Sequence, residues 1–249
     1  MPRMMSAIQM LSRATSGTVF RSIVLSAMVA GFVAGAAITV VQLFSTVPLI
    51  LKAEVYERDA TEAAAKAGAA THENADHEHD VVAWEPKDGL ERNTFTAAAN
   101  ILTAIGFALL LAGFYALRGR PVTWHEGLLW GLGGFVVFTA APGLGLPPEL
   151  PGVPAAPLAA RQIWWIATAT ATALGLGLLI FRRSVWAAVL GVCLIVSPHL
   201  IGAPQLTERH TNVPEALSHQ FIVATTLTSL LFWVLLGSMT SIAYRRFSA

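Results

Sequence analysis

The chain has 249 residues, of which 55% are hydrophobic and only 12% charged, with a mean hydropathy of +0.60. A water-soluble globular domain of this composition would lack the polar surface to cover itself, so the bilayer is its expected solvent. The net charge of +1 hides a segregation of charges along the chain, and a single cysteine, Cys193 in an apolar run, excludes an intrachain disulfide or a cysteine-built metal cluster.

In chain order, the apolar runs that reach or approach the length needed to cross a hydrocarbon core of about 30 Å are residues 23–44, 95–117, 127–146, 163–181, 185–201 and 221–244. They predict an all-α integral membrane protein with six transmembrane helices. The count falls to five if 185–201, short and containing Pro198, breaks or re-enters. Residues 1–22 then form an N-terminal cytoplasmic segment, 23–44 the first span, 45–94 an extracytoplasmic acidic and His-rich loop, and 95–249 a five-helix bundle with short loops.

Orientation has an independent test, because Lys and Arg accumulate in short cytoplasmic loops. Arg3, Arg13 and Arg21 precede the first run; Arg118 and Arg120 follow the second, Arg182 and Arg183 the fourth, Arg245 and Arg246 the sixth. All these segments fall on one side of a six-span chain, which predicts that both termini are cytoplasmic. Of the 15 carboxylates only Glu126 shares that side. The first apolar run is longer than a secretory signal core of roughly 7–15 residues, so it is expected to stay as a span and not to be cleaved. Gly31 and Gly35 have the GxxxG spacing that allows close helix approach.

A faint repeat is visible. Trp130 and Trp186 each lie twelve residues before a proline, Pro142 and Pro198, and Pro/Gly-rich stretches follow both. Spans two and three would form one helical hairpin and spans four and five a parallel second, although Pro and Gly commonly end helices at membrane surfaces.

The densest donor cluster is the loop segment 71–80, in which His72, Glu73, Asp76, His77, Glu78, His79 and Asp80 alternate imidazole with carboxylate. Such donors suit divalent first-row ions, and the thiolates that Cu(I) prefers are missing. The competing explanation is a solvated acidic linker with incidental histidines. Six of the seven histidines (His72, His77, His79, His199, His210 and His219) fall on the predicted outer side, which favours capture of a cation there.

No Asp, Glu, Lys or Arg interrupts the centre of a span, unlike a pump with buried carboxylates. Near the outer ends lie Gln42, Asn100, His199 and His219, with Glu54 and Glu149 in the adjoining loops. His199 is the leading pathway residue: it follows Pro198, which frees a carbonyl one turn earlier, so imidazole and carbonyl are expected to line one polar cavity. Glu126, beside His125 at the cytoplasmic start of span three, is a candidate release point, explained more simply as a helix-start carboxylate. Trp124, Trp130, Trp164 and Trp165 read as interfacial anchors. There is no phosphate-binding GxxxxGK[ST] loop, nucleophile elbow or HExxH motif, so no enzyme is expected.

Several motifs together resemble the CbtA family of cobalt transporter subunits. They are Gln42 with Pro48-Leu49-Ile50 and Ala53-Glu54-Val55-Tyr56-Glu57, then Trp84-Glu85-Pro86-Lys87-Asp88-Gly89, Asn100-Ile101-Leu102-Thr103 and Gly106-Phe107-Ala108. Further along stand Glu126-Gly127-Leu128-Leu129-Trp130-Gly131-Leu132, Leu146-Pro147-Pro148-Glu149-Leu150-Pro151-Gly152, Ala160-Arg161-Gln162-Ile163-Trp164-Trp165 and Pro198-His199-Leu200-Ile201-Gly202-Ala203-Pro204. The resemblance implies a multi-pass protein of the bacterial plasma membrane, associated with cobalamin-dependent cobalt uptake. Co2+ would be its cargo and not a resident cofactor, and a small single-span CbtB-like subunit with its own histidine motif would be its partner. The family is described with about five spans, one fewer than the hydropathy count. Nickel is the nearest competing cargo. A non-transporting metal-binding assembly subunit and a haem-binding subunit using His199 and His219 are the other classes that the residues admit.

Overall fold

The computed structural model describes residues 2–69, 86–206 and 211–248. All six apolar runs are helical. The first lies in α1 (Pro2–Ser45) and the second in α3 (Leu90–Arg118), with α2 (Val47–Ala69) between them. The third run comprises α4 (Trp124–Phe135), a π-helical segment (Val136–Ala140) and α5 (Ala141–Gly145). The last three are α6 (Leu158–Phe181), α7 (Val185–Ile201) and α8 (Glu215–Ser248).

Among the described residues, five helices are long and apolar enough to cross a membrane: Gly17–Ser45, Leu90–Arg118, Trp124–Gly145, Leu158–Phe181 and Glu215–Ser248. The remaining apolar helix, α7, has 17 residues. At 1.5 Å per residue it rises about 26 Å, a little less than the hydrocarbon core. The fold is therefore that of an all-α membrane protein. Large apolar side chains such as Leu102, Leu110, Ile166, Trp186 and Leu200 are exposed along the helices, as lipid-facing residues are.

The segment 45–94, expected as a loop, begins with a helix. Only Thr46 separates α1 from α2, and its carbonyl accepts the N–H groups of Leu49 and Ile50 at 3.1 Å, so the new helix starts at once. Pro48 falls in the first turn of α2, where its missing N–H costs nothing. The Ala-rich stretch beyond it continues the helix to Ala69.

The chain divides into two compact units. One comprises Met1–Val41, Asp88–Phe135 and Leu230–Ala249, and the other Gln42–Lys87 and Val136–Ser229. In the first unit helices meet where side chains vanish. A Cβ on Gly31 would lie 2.5 Å from Ile105 Cα, and one on Gly35 2.6 Å from Ile101 Cα, so the GxxxG pair is the crossing of α1 and α3. A Cβ on Gly131 would strike the Trp233 carbonyl oxygen, and one on Gly237 the Gly127 carbonyl oxygen, which makes a second close crossing between α4 and α8. Between α3 and α4 the chain reverses through Gly119, whose φ of 60° is the left-handed cap geometry that glycine adopts freely, and its N–H bonds Ala116 O at 3.2 Å.

In the second unit α6 and α7 form a hairpin joined by residues 182–184, closely packed where a Cβ on Gly175 would lie 2.5 Å from Gly191 O. Outside this hairpin, Leu150 of the Pro-rich loop is buried with Ala53 of α2, Val213, and Leu217 and Phe221 of α8. The segments that read as polar connections thus have an apolar core of their own.

The two Trp-to-Pro spacings lead to different surroundings. Trp130 packs on Phe114 at 4.4 Å between ring centroids, whereas Trp186 is 82% exposed. Pro142 follows the π-helical segment, whereas Pro198 sits inside a continuous α-helix.

Candidate functional site

The candidate residues divide between the two units. Asn100 and Glu126 belong to the first, and Gln42, Glu54, Glu149, His199 and His219 to the second. The residues expected to collect metal, His72, Glu73, Asp76, His77, Glu78, His79 and Asp80, together with His210, lie outside the described residues.

In the first unit both candidates are engaged in holding helices. Asn100 Nδ2 donates to Thr39 Oγ1 at 3.0 Å, and Thr39 Oγ1 donates to Gly35 O at 2.8 Å, a polar clasp beside the α1–α3 glycine crossing. Glu126 completes a capping box. The Thr123 N–H donates to Glu126 Oε2 at 2.9 Å, while the Glu126 N–H donates to Thr123 Oγ1 at 3.2 Å. The other carboxylate oxygen of Glu126 lies 3.6 Å from Arg118. The Arg118 guanidinium in turn stands 5.4 Å from the centre of the Trp130 ring. Trp130 is therefore fixed by packing and charge within the unit as well as by any interface. His125 stacks on Trp124.

In the second unit His199 sits half-buried near the end of α7. Pro198 has no N–H for the Leu194 carbonyl one turn earlier, but Ser197 Oγ donates to that oxygen at 3.0 Å. The freed carbonyl is thus occupied. The Pro198 carbonyl accepts two bonds, from Gly202 N–H at 3.1 Å and from Trp164 Nε1 at 3.2 Å. The Trp164 ring also meets the His199 imidazole edge to face, with centroids 5.8 Å apart. Expected as an interfacial anchor, Trp164 is only 8% exposed, while its neighbour Trp165 is 37% exposed.

Glu149 lies in the loop between α5 and α6. Its Oε2 is 3.1 Å from Arg161 on α6, and both side chains are partly buried. The loop is tied at further points: Gln205 Nε2 donates to Gly145 O and Thr211 Oγ1 to Gly152 O, each at 3.0 Å. Gly152, at φ 75°, rests against Glu57 of α2. Gln42 and Glu54 are half-buried. His219 pairs with Glu215 one turn away at 3.5 Å, and both are largely exposed, so the pair contributes little to stability.

Two grooves open in this unit. One, of about 570 Å³, runs between α2 and the start of α8 and is lined by Lys52, Tyr56, Asp59 and Gln220 among others. The other, of about 560 Å³, runs along the Pro147–Pro148 turn and is lined by Arg161, Gln162 and Trp165. Among the described residues no group of three or more His, Cys, Asp or Glu is arranged to hold a metal ion. What the second unit offers at the end of α7 is the His199 imidazole beside the Trp164 indole, with the Leu194 and Pro198 carbonyls already bonded.

Among the described residues, five helices long and apolar enough to cross a membrane, with the shorter α7, define a multi-pass membrane protein. The family model described as "Probable cobalt transporter subunit (CbtA)" matches residues 20–245, from within α1 to the end of α8, and the chain belongs to this family. No curated protein and no solved structure matches the chain.

Proposed function

We propose that this chain is the membrane-spanning subunit through which Co2+ crosses the bacterial plasma membrane. Both termini lie in the cytoplasm, and the chain has no enzymatic step of its own. The acidic histidine segment, with His72, His77 and His79 as its nitrogen donors, collects the ion outside and raises its local concentration. His199 receives it at the mouth of the helices. The observation that carries this reading is family membership over nearly the whole helical body. Two features support it. The arginine clusters favour an orientation in which six of the seven histidines face outward. In addition, α2, which ends at Ala69 shortly before the collecting segment in sequence, buries Ala53 with Leu150 of the loop that carries Glu149.

A single-span CbtB-like subunit with its own histidine motif is the proposed partner. Accumulation of radioactive cobalt in cells expressing the chain with and without that subunit tests the reading, with excess nickel as competitor. Replacing His72, His77 and His79 together by Ala is expected to weaken uptake at low cobalt and to leave uptake at saturating cobalt unchanged. No cobalt accumulation in either pairing would contradict transport and leave a metal-binding assembly subunit.

A further inference from the structure

We infer that Trp164 is a specificity-determining residue of the cation path, which withdraws backbone oxygen from His199 so that a passing ion meets imidazole nitrogen. This rests on the reading that His199 handles the cation. A proline near the end of a membrane helix ordinarily leaves carbonyl oxygens exposed, and such oxygens coordinate hard cations. Here the Leu194 oxygen, freed by the proline, and the Pro198 oxygen at the helix end already have donors. The Leu194 carbonyl, which Pro198 leaves without its helical partner, accepts Ser197 Oγ at 3.0 Å. The Pro198 carbonyl accepts both Gly202 N–H at 3.1 Å and Trp164 Nε1 at 3.2 Å, which uses both its lone pairs.

Trp164 touches the Pro198 carbonyl and the His199 ring with the same indole, so oxygen and imidazole lie within one side chain's reach of each other. The indole is held firmly. Gly145 leaves room for it, since a Cβ there would lie 2.7 Å from Trp164 Cζ2, and the side chain is 8% exposed. Mg2+ and Ca2+ seek several oxygen ligands, whereas Co2+ and Ni2+ accept imidazole readily. With the Leu194 and Pro198 carbonyls occupied, the turn offers fewer oxygens beside the imidazole of His199, which favours the transition metals over the far more abundant hard ions.

The test measures uptake of radioactive cobalt, at matched membrane levels of the chain expressed with its partner, in competition with Mg2+, Ca2+ and Ni2+. Wild type is compared with Trp164→Phe, Trp164→Leu and His199→Ala. Trp164→Phe keeps a ring and deletes the N–H; it is expected to make Mg2+ or Ca2+ compete about tenfold more strongly, with Ni2+ competition unchanged. Unchanged cobalt uptake in His199→Ala would overturn the underlying reading and this inference with it. Uptake lost in His199→Ala, together with a wild-type competition profile in Trp164→Phe, would overturn the inference alone. Should Trp164→Phe fail to reach the membrane, Trp164→Leu, which also lacks the N–H, decides by the same criterion: stronger Mg2+ or Ca2+ competition supports the inference, and a wild-type profile overturns it.

Discussion

The two units solve the problem of polar groups in an apolar chain in opposite ways. In the first, every candidate polar side chain bonds to a neighbouring element: Asn100 clasps Thr39, and Glu126 caps its own helix and pairs with Arg118. Its helices approach so closely at Gly31, Gly35, Gly131 and Gly237 that a single methyl group would collide with backbone or side-chain atoms of a neighbouring helix. The second unit contains the π-helical segment, Pro142 and Pro198, the Glu149–Arg161 pair and the imidazole of His199. Irregular backbone inside a membrane is tolerated where protein or a cavity satisfies it. The contrast separates a unit of regular helices from one that adds a π-helical segment and the His199 imidazole to the same kind of glycine contact, at Gly175 and Gly191.

The largest effect that would test this contrast is expected at Gly131. Gly131→Leu would force a side chain into the Trp233 carbonyl, at a cost of about 3 kcal/mol or more, and should abolish recovery of folded protein in detergent. Gly133, where an added methyl group would meet nothing within 4 Å, should accept Ala with a gain of up to about 1 kcal/mol. Equal tolerance at the two positions would break the account of the first unit. Next in size, Arg161→Ala should cost about 1 kcal/mol in thermal unfolding by leaving the partly buried Glu149 without its partner. Adding Glu149→Gln should restore most of that loss, which a double-mutant cycle would read. The smallest effect is expected at Asn100: removing its amide by Asn100→Ala should lower stability by about 0.6 kcal/mol and leave cobalt uptake per folded molecule unchanged. A loss of uptake without loss of stability would move Asn100 from packing to the path.

The spans were legible because long apolar runs have one solution in lipid, and 185–201 coincides with α7 to the residue. The close approach at Gly31 and Gly35 was legible from spacing. The Ala-rich stretch 60–70 left a helix open within 45–94, but the charges before it hid its start at Val47, since hydropathy reports lipid contact and not helix propensity. The π-helical segment has no sequence signature beyond the nearby Pro142. Thr123-x-x-Glu126 is a capping-box pattern that a search for pathway carboxylates passes over. Trp164 and Trp165 are indistinguishable by composition. Trp164, however, shares a helical stripe with Thr168, Thr172 and Gly175, all buried, and that periodicity points to the inward-facing member of the pair. The clasp on the Pro198 carbonyl joins residues 34 positions apart and leaves no trace in a single sequence.

The central claim is that the helices conduct Co2+ past His199, and the initial rate of cobalt entry into cells expressing the His199→Ala chain with its partner tests it most directly. At membrane levels equal to wild type, the account predicts a rate that falls to the background of cells lacking the chain. A rate equal to wild type at all cobalt concentrations would contradict it.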